Sequence, residues 1–408
     1  VALGVQALTT NTTADNNTAV GYQSLLSNST GADNTAIGSG ALDANTTGAN
    51  NTAMGKNALG ANTTASNNTA FGYGAMLVNT TGNSCIAIGG DTLDANTTGD
   101  NNIAIGQAAL GANTTAASNT AIGYTSMQQN TTGTQNTALG SGSLNANTTA
   151  SSNTAVGFNS LLSNTTGAEN VAVGYQSLNA NVTGAYNTAV GNEAMILNTG
   201  DHNTAMGRIA LNRNTSGDYN TAVGSRALYT ATTADSNTAF GYNALTTATT
   251  GAENDAFGSL ALDALTTGYG NAACGRDALG AVTTGTLNTG LGVNSGNSAT
   301  TGGSNVFLGQ ASGSAVTTGQ FNVTFGVGSG AHTTNLITGS GCILLGYHSR
   351  TTATDSDYAT GIGYNIDAAA GYNTIGQGTS DIRAAHGNVT WATVSDERVK
   401  KDIEDSTV

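Results

Sequence analysis

The stretch Asn34-Thr35-Ala36-Ile37-Gly38-Ser39-Gly40-Ala41-Leu42-Asp43-Ala44-Asn45-Thr46-Thr47-Gly48-Ala49-Asn50 decides how the rest of the chain is read. Its signature, Asn-Thr-Ala-apolar-Gly, returns at one fixed step from Gly4 through Gly21, Gly38 and Gly55 to Gly191. One residue is dropped before Gly207, and the step resumes from Gly224 to Gly326. A fixed period of this kind marks stacked repeats, in which every unit finds its core against the next.

The columns of the repeat carry physical meaning. The residue before the glycine is always apolar (Val20, Ile37, Met54, Phe71, Ile88, Phe240, Cys274), which suggests a side chain stacked on its copies in a core. Four residues after the glycine, Leu or Met supplies a second apolar column (Leu8, Leu25, Leu42, Met76, Met127, Leu262). Helices are excluded by the short apolar runs and by the turn residues that punctuate every unit. The expected fold is all-β: a parallel β-solenoid or β-roll of about twenty 17-residue coils in strand-turn-strand-turn form, spaced at about 4.8 Å. Asn17, Asn34, Asn51 and Asn68 form one column, and Asn11, Asn28, Asn45 and Asn62 another; both suit turns and side-chain ladders.

Composition agrees with stacking. The 408 residues include 57 glycines and no proline, and only 8% are charged. A ladder in which the backbone donates from coil to coil has no place for proline, and glycine serves tight corners. The net charge of -14 argues against a nucleic-acid partner. No apolar run is long enough for a membrane helix, so membrane insertion is not expected. The start, 1–10, lacks the pattern of a signal peptide.

Two residues before the glycine stands Ala in every coil from Ala2 to Ala273. Side chains in a strand alternate faces, so Ala and its apolar neighbour point opposite ways. The invariant Ala suggests close approach of another copy on that face; the opposite assignment puts Ala inside a narrow coil and the apolar column against a partner. Under either assignment an apolar face is left over, and a parallel homotrimer is expected. Beyond Gly292 the Leu column gives way to Gly296, Gly313 and Gly330, and the Ala column to Gly290, Phe307 and Thr324. From Ala231 one Asn column turns apolar or small (Ala248, Leu265, Val282, Val316). Residues 1–333 are therefore read as the shaft and 334–390 as an irregular neck or transition.

Little in the shaft suggests chemistry. His202, His332, His348 and His386 are far apart without ligand spacing, so no metal site is expected, and no cofactor motif occurs. Cys85 and Cys342 share a column many coils apart, and Cys274 falls in the column read as core; buried thiols are expected rather than disulfides. A polysaccharide-cleaving enzyme would need a carboxylate cluster that breaks the repeat, and 1–333 has none. Asn45-Thr46-Thr47, Asn62-Thr63-Thr64 and Asn181-Val182-Thr183 have the form of glycosylation acceptors, a form that a turn ladder also produces. Tyr22, Tyr73, Tyr124, Phe158, Tyr175 and Tyr242 follow the glycine and are expected at the surface, with sugar stacking as one use.

The Asn-Thr-Ala-apolar-Gly repeat resembles the head repeats of trimeric autotransporter adhesins, parallel β-rolls in homotrimers. The stretch Trp391-Ala392-Thr393-Val394-Ser395-Asp396-Glu397-Arg398-Val399-Lys400-Lys401-Asp402-Ile403 resembles the opening of the self-cleaving intramolecular chaperone of endosialidase-type phage tailspikes and tail fibres, which begins Ser-Asp-x-Arg-x-Lys. That resemblance implies Ser395 as nucleophile, Lys400 as its base and a scissile bond between Val394 and Ser395. The residues themselves also suit a helix start, with Ser395 as N-cap and acidic residues in the first turn. In the family the chaperone runs on for ~100 residues, so 391–408 is expected to be only its beginning, and no enzyme activity is expected of this chain. The expected function is a structural one: the shaft of a phage tail fibre or similar virion appendage, in the virion or at an extracellular surface. Its partners would be its own copies, other tail proteins and a host cell-surface receptor, a glycan among the candidates. The alternative is a bacterial trimeric surface adhesin head.

Overall fold

A computed structural model of the chain describes residues 1–331 and 336–387, and the backbone of 392–393. Among these residues the structure is all-β without a helix. Two compact units are present, Val1–Ser216 and Gly217–Val408. Both are parallel β-solenoids.

In the first unit thirteen short strands, from Ala2–Leu3 to Thr204–Met206, stack in parallel. The register is the sequence period itself, with Thr35 beside Thr52, Ala36 beside Ala53 and Ile37 beside Met54. Only one three-residue strand occurs per coil, where the sequence reading expects two. The reason lies in the other side of the coil, where Leu42 adopts a φ of 51° and Leu59 one of 52°. That left-handed conformation breaks the extended geometry of a second strand. Backbone bonds still run from coil to coil there, as in Leu42 N–H to Ala58 O (3.1 Å) and Ala44 N–H to Gly60 O (3.2 Å). A left-handed Leu costs about 1–2 kcal/mol, and full burial of its side chain contributes about 1.5–3 kcal/mol, so burial wins narrowly in every coil.

The assignment of the Ala column is corrected. Ala19, Ala36, Ala53 and their equivalents are completely buried inside the coil. The apolar column before the glycine points outward, and Met54, Ile88, Leu139 and Met206 are exposed. So short a coil has no room for a large side chain at this point. Leu and Met from the facing side fill the interior, leaving Ala as the complement. Cys274, expected in the core, is therefore exposed.

Both Asn columns are buried ladders. Asn34 Nδ2 donates to Gly48 O (2.9 Å) while its Oδ1 accepts the Asn51 N–H (2.9 Å). Asn45 Nδ2 donates to Asn28 Oδ1 (2.8 Å) and to Gly48 O (2.9 Å). One carbonyl thus ties two sides of the coil together. The role of these side chains is satisfaction, because a buried backbone group left unpaired costs about 1–3 kcal/mol. The residue dropped before Gly207 interrupts the second ladder, and Asn181 Oδ1 is left without a partner.

In the second unit the parallel stack runs from Thr221–Val223 to Tyr372–Gln377. The apolar replacements Ala231, Ala248, Leu265, Val282 and Val316 are all buried, so the Asn ladder becomes a dry column. Phe307 explains the glycines that displace the Leu column. A Cβ at Gly296 would lie 2.3 Å from its ring, and one at Gly313 2.1 Å. The stretch expected as an irregular neck continues the stack: Val323 pairs with Ile343, Ile343 with Thr360, and Thr360 with Asn373. The coils from Gly326 to Gly346, Gly346 to Gly363 and Gly363 to Gly376 differ in length, which hides the period while the ladder persists. Gly363 still sits beside Gly376. An antiparallel hairpin, Tyr372–Gln377 with Ser380–Ala385, follows.

Candidate functional site

The extended strand places two side chains per coil outward, three and one before the glycine. Through most of the first unit these are Thr and an aliphatic residue, as in Thr35–Ile37 and Thr154–Val156. The residue after the glycine shares this face: Phe325, Val327, Leu345, Tyr347 and Ile362 line one open hollow of about 600 Å³. The aromatics predicted at the surface are there, with Tyr22, Tyr73, Tyr124 and Tyr242 all more than half exposed. Where two follow in successive coils they stack on one another, Phe158 on Tyr175 at 5.7 Å and 12°. Rings stacked along the coil axis cover each other's faces and leave their edges to a partner.

The candidate site is therefore a face rather than a pocket: an apolar stripe one residue wide or more, repeated in every coil, beside an intermittent aromatic column. The sequence shows the column but not its direction, because alternation says only that Ala and its neighbour are opposed.

The three glycosylation-like triplets named above lie where no sugar can be attached to the folded chain, whereas Asn16, Asn50 and Asn67, which open further Asn-x-Thr triplets, are exposed. Asn45, Asn62 and Asn181 are fully buried, and their amides donate to neighbouring oxygens.

Cys85 and Cys342 are buried as expected, and both take an Asn place in the first ladder. Cys85 Sγ donates to Gly99 O (3.3 Å) and accepts the Asn102 N–H (3.5 Å). Cys342 repeats this with Ser356 O (3.1 Å) and the Ala359 N–H (3.4 Å). Burial pushes the Cys85 thiol up to about 11, so it stays protonated and unreactive near neutrality. With a disulfide-exchange reagent at neutral pH, the denatured chain should titrate three thiols and the native chain no more than one, Cys274. Rapid labelling of two or more native thiols would contradict the ladder.

Three aspartates share one column, Asp43, Asp94 and Asp263, and one coil on from each stands a glycine: Gly60, Gly111 and Gly280. Burial raises all three carboxyls above the usual range. A raised acid in the folded state binds its proton more tightly than in the unfolded chain. Its unfavourable contribution is complete above the folded pKa and disappears below the unfolded one, as pH falls through the carboxylate range. Asp43→Asn should therefore raise thermal stability slightly at pH 7, by less than ~1 kcal/mol because water still reaches the carboxylate. The gain should vanish near pH 3, and an equal gain at both pH values would contradict it.

Ser395, Lys400 and the Val394–Ser395 bond lie outside the described residues, as do the helix start expected there and His332. No group of three or more His, Cys, Asp or Glu among the described residues is placed to hold a metal ion. No helix among them is long and apolar enough to cross a membrane. Compared with known proteins, the chain matches no family and no curated sequence.

Proposed function

We propose that the chain is a structural fibre protein, the shaft of a phage tail fibre or similar virion appendage, built from three parallel copies. The observation that carries this reading is the outward apolar column. Leu139 is 45% exposed, Phe257 45% and Leu291 51%, and equivalents occupy coil after coil. A long apolar stripe left in water is an aggregation hazard, whereas burial against an identical stripe is favourable. Side-by-side parallel copies match coil height for coil height without any insertion, since all share one rise. The resemblance to trimeric autotransporter heads suggests three as the number, and the Ser-Asp-Glu-Arg-Val-Lys stretch at 395–400 suggests a phage fibre. The fibre would hold a host-recognition surface away from the particle, in the virion, with tail proteins and a host receptor as partners. No catalytic activity is assigned to the shaft.

The repeat pattern itself favours a second reading, a trimeric adhesin head on a bacterial surface. Expression of the complete reading frame separates the two. For a fibre, the chain is released at Val394–Ser395, and Ser395→Ala or Lys400→Ala abolishes release, the lysine acting as base for the serine hydroxyl. A reading frame that continues into a membrane-anchoring barrel, with no release, would overturn the fibre reading in favour of the adhesin.

A further inference from the structure

The outward face is not uniform along the second unit. At its start the strands resemble those of the first: Thr221–Val223 and Thr238–Phe240 put Thr in the outer place, and Asp255 and Arg276 bring charge to the face. From Val306–Leu308 onward the character changes. The place three before the glycine, usually Thr, is Val306, then Val323, then Ile343, the last 41% exposed. The place after the glycine, elsewhere an aromatic ring in some coils, Val at Val5 and Val293, and Gly or a polar residue in the rest, becomes Val327, Tyr347 and Tyr364 in succession, all exposed. Tyr347 and Tyr364 stack at 5.2 Å and 10°. Between them the column before the glycine keeps its large residues, with Phe325 58% exposed. Three apolar places stand side by side at Val323–Phe325 with Val327 and at Ile343–Leu345 with Tyr347, and two in the coils on either side, Val306 with Leu308 and Ile362 with Tyr364. None of their outward places carries a charge.

We propose that these four coils, with ten apolar outward places between them, are a clasp through which copies of the chain hold one another, while most other coils add one or two apolar residues each. This rests on the reading that copies associate side by side. Loss of charge from a broad, aromatic-rich apolar patch is the composition of an interface core. Three features select a second copy as the occupant. The face repeats at one coil rise, about 4.8 Å, and another copy repeats at the same rise by construction. The clasp continues without a gap into the column before the glycine in the same unit, from Phe240 and Phe257 through Leu291 to Phe325. Finally, the hollow over Phe325 and Ile362 is lined by Val327 and Tyr347 as well. In a symmetric assembly the same side chains of a neighbour face it.

The test compares two double substitutions in the full chain by sedimentation velocity at micromolar concentration, with far-ultraviolet circular dichroism as a check on folding. Phe325→Ser with Ile362→Ser should yield single chains that keep the native β spectrum. Ile37→Ser with Val190→Ser, the same change where the column is narrow, with Thr35 and Ser39 or Thr188 and Asn192 beside it, should leave the assembly intact. Val327→Lys is a third variant that touches only an exposed side chain, and it too should dissociate the assembly. A clasp variant that stays assembled, or a narrow-column pair that falls apart as readily, overturns the clasp. An unsubstituted chain that is already single overturns the side-by-side reading itself.

Discussion

Gly123→Val is expected to open the coil stack at its site and to cost at least ~3 kcal/mol. Gly123 has a φ of +140°, a conformation essentially confined to glycine, and a Cβ there would lie 2.4 Å from Gly140 O. Neither problem has a local remedy. The close neighbour is backbone of the next coil, itself fixed by the Gly140 N–H bond to Ile122 O (2.8 Å). Gly90 provides the control. It stands one place after a glycine of the same column, and no atom lies within 4 Å of where its Cβ would be. Ser39 and Ser141 occupy that place in other coils, so Gly90→Ser should leave the urea midpoint nearly unchanged. Equal losses at Gly90 and Gly123 would contradict the corner geometry.

Phe307→Ala is the second large effect expected. Phe307 is fully buried and occupies the space that Leu fills in the regular coils, with Gly296 before it and Gly313 after it. Truncation leaves a cavity with no side chain able to collapse into it, at a cost of about 3–5 kcal/mol. Compensation should be available in the opposite sense. Gly296 and Gly313 have φ values of 57° and 65°, close to the 53° at which Leu279 sits in the same column. Adding Gly296→Leu and Gly313→Leu to Phe307→Ala restores the Ala and Leu pattern of the other coils and should recover most of the stability. A triple variant no more stable than Phe307→Ala would show that Phe307 has a role other than filling volume.

This exchange shows what a repeat makes legible and what it hides. The period, the buried Leu column, the glycine corners and the two Asn ladders can all be read from Asn34 to Asn50, because each is a demand that every coil makes alike. Direction cannot be read in the same way. Ala36 and Ile37 alternate whichever of them is inside, and the usual preference for burying the larger side chain points the wrong way. What decides is the width of the coil, already filled by Leu42 and spanned by the amides of Asn34 and Asn45. The left-handed Leu is equally silent in sequence, since nothing about leucine suggests a positive φ. Compensation between neighbouring coils, such as Phe307 with Gly296 and Gly313, reads as decay of the pattern when columns are followed one at a time. The stack beyond 333 is hidden because coil length changes while the ladder persists through Gly346, Gly363 and Gly376.

The candidate site was half legible for the same reason. An apolar column recurring once per coil is plain, but its exposure depends on the Ala column being inside. Once it is outside, the absence of charge from the strands between Val306 and Tyr364 acquires a meaning that composition alone does not give.

The central claim, that this face is covered by identical copies, is tested most directly by the mass of the native particle in solution. Sedimentation equilibrium or native mass spectrometry of the full chain should give three times the 40.2 kDa of one chain, with no lighter species at micromolar concentration. A stable, monodisperse particle at 40.2 kDa would mean that the apolar column rests in water, and would contradict the account.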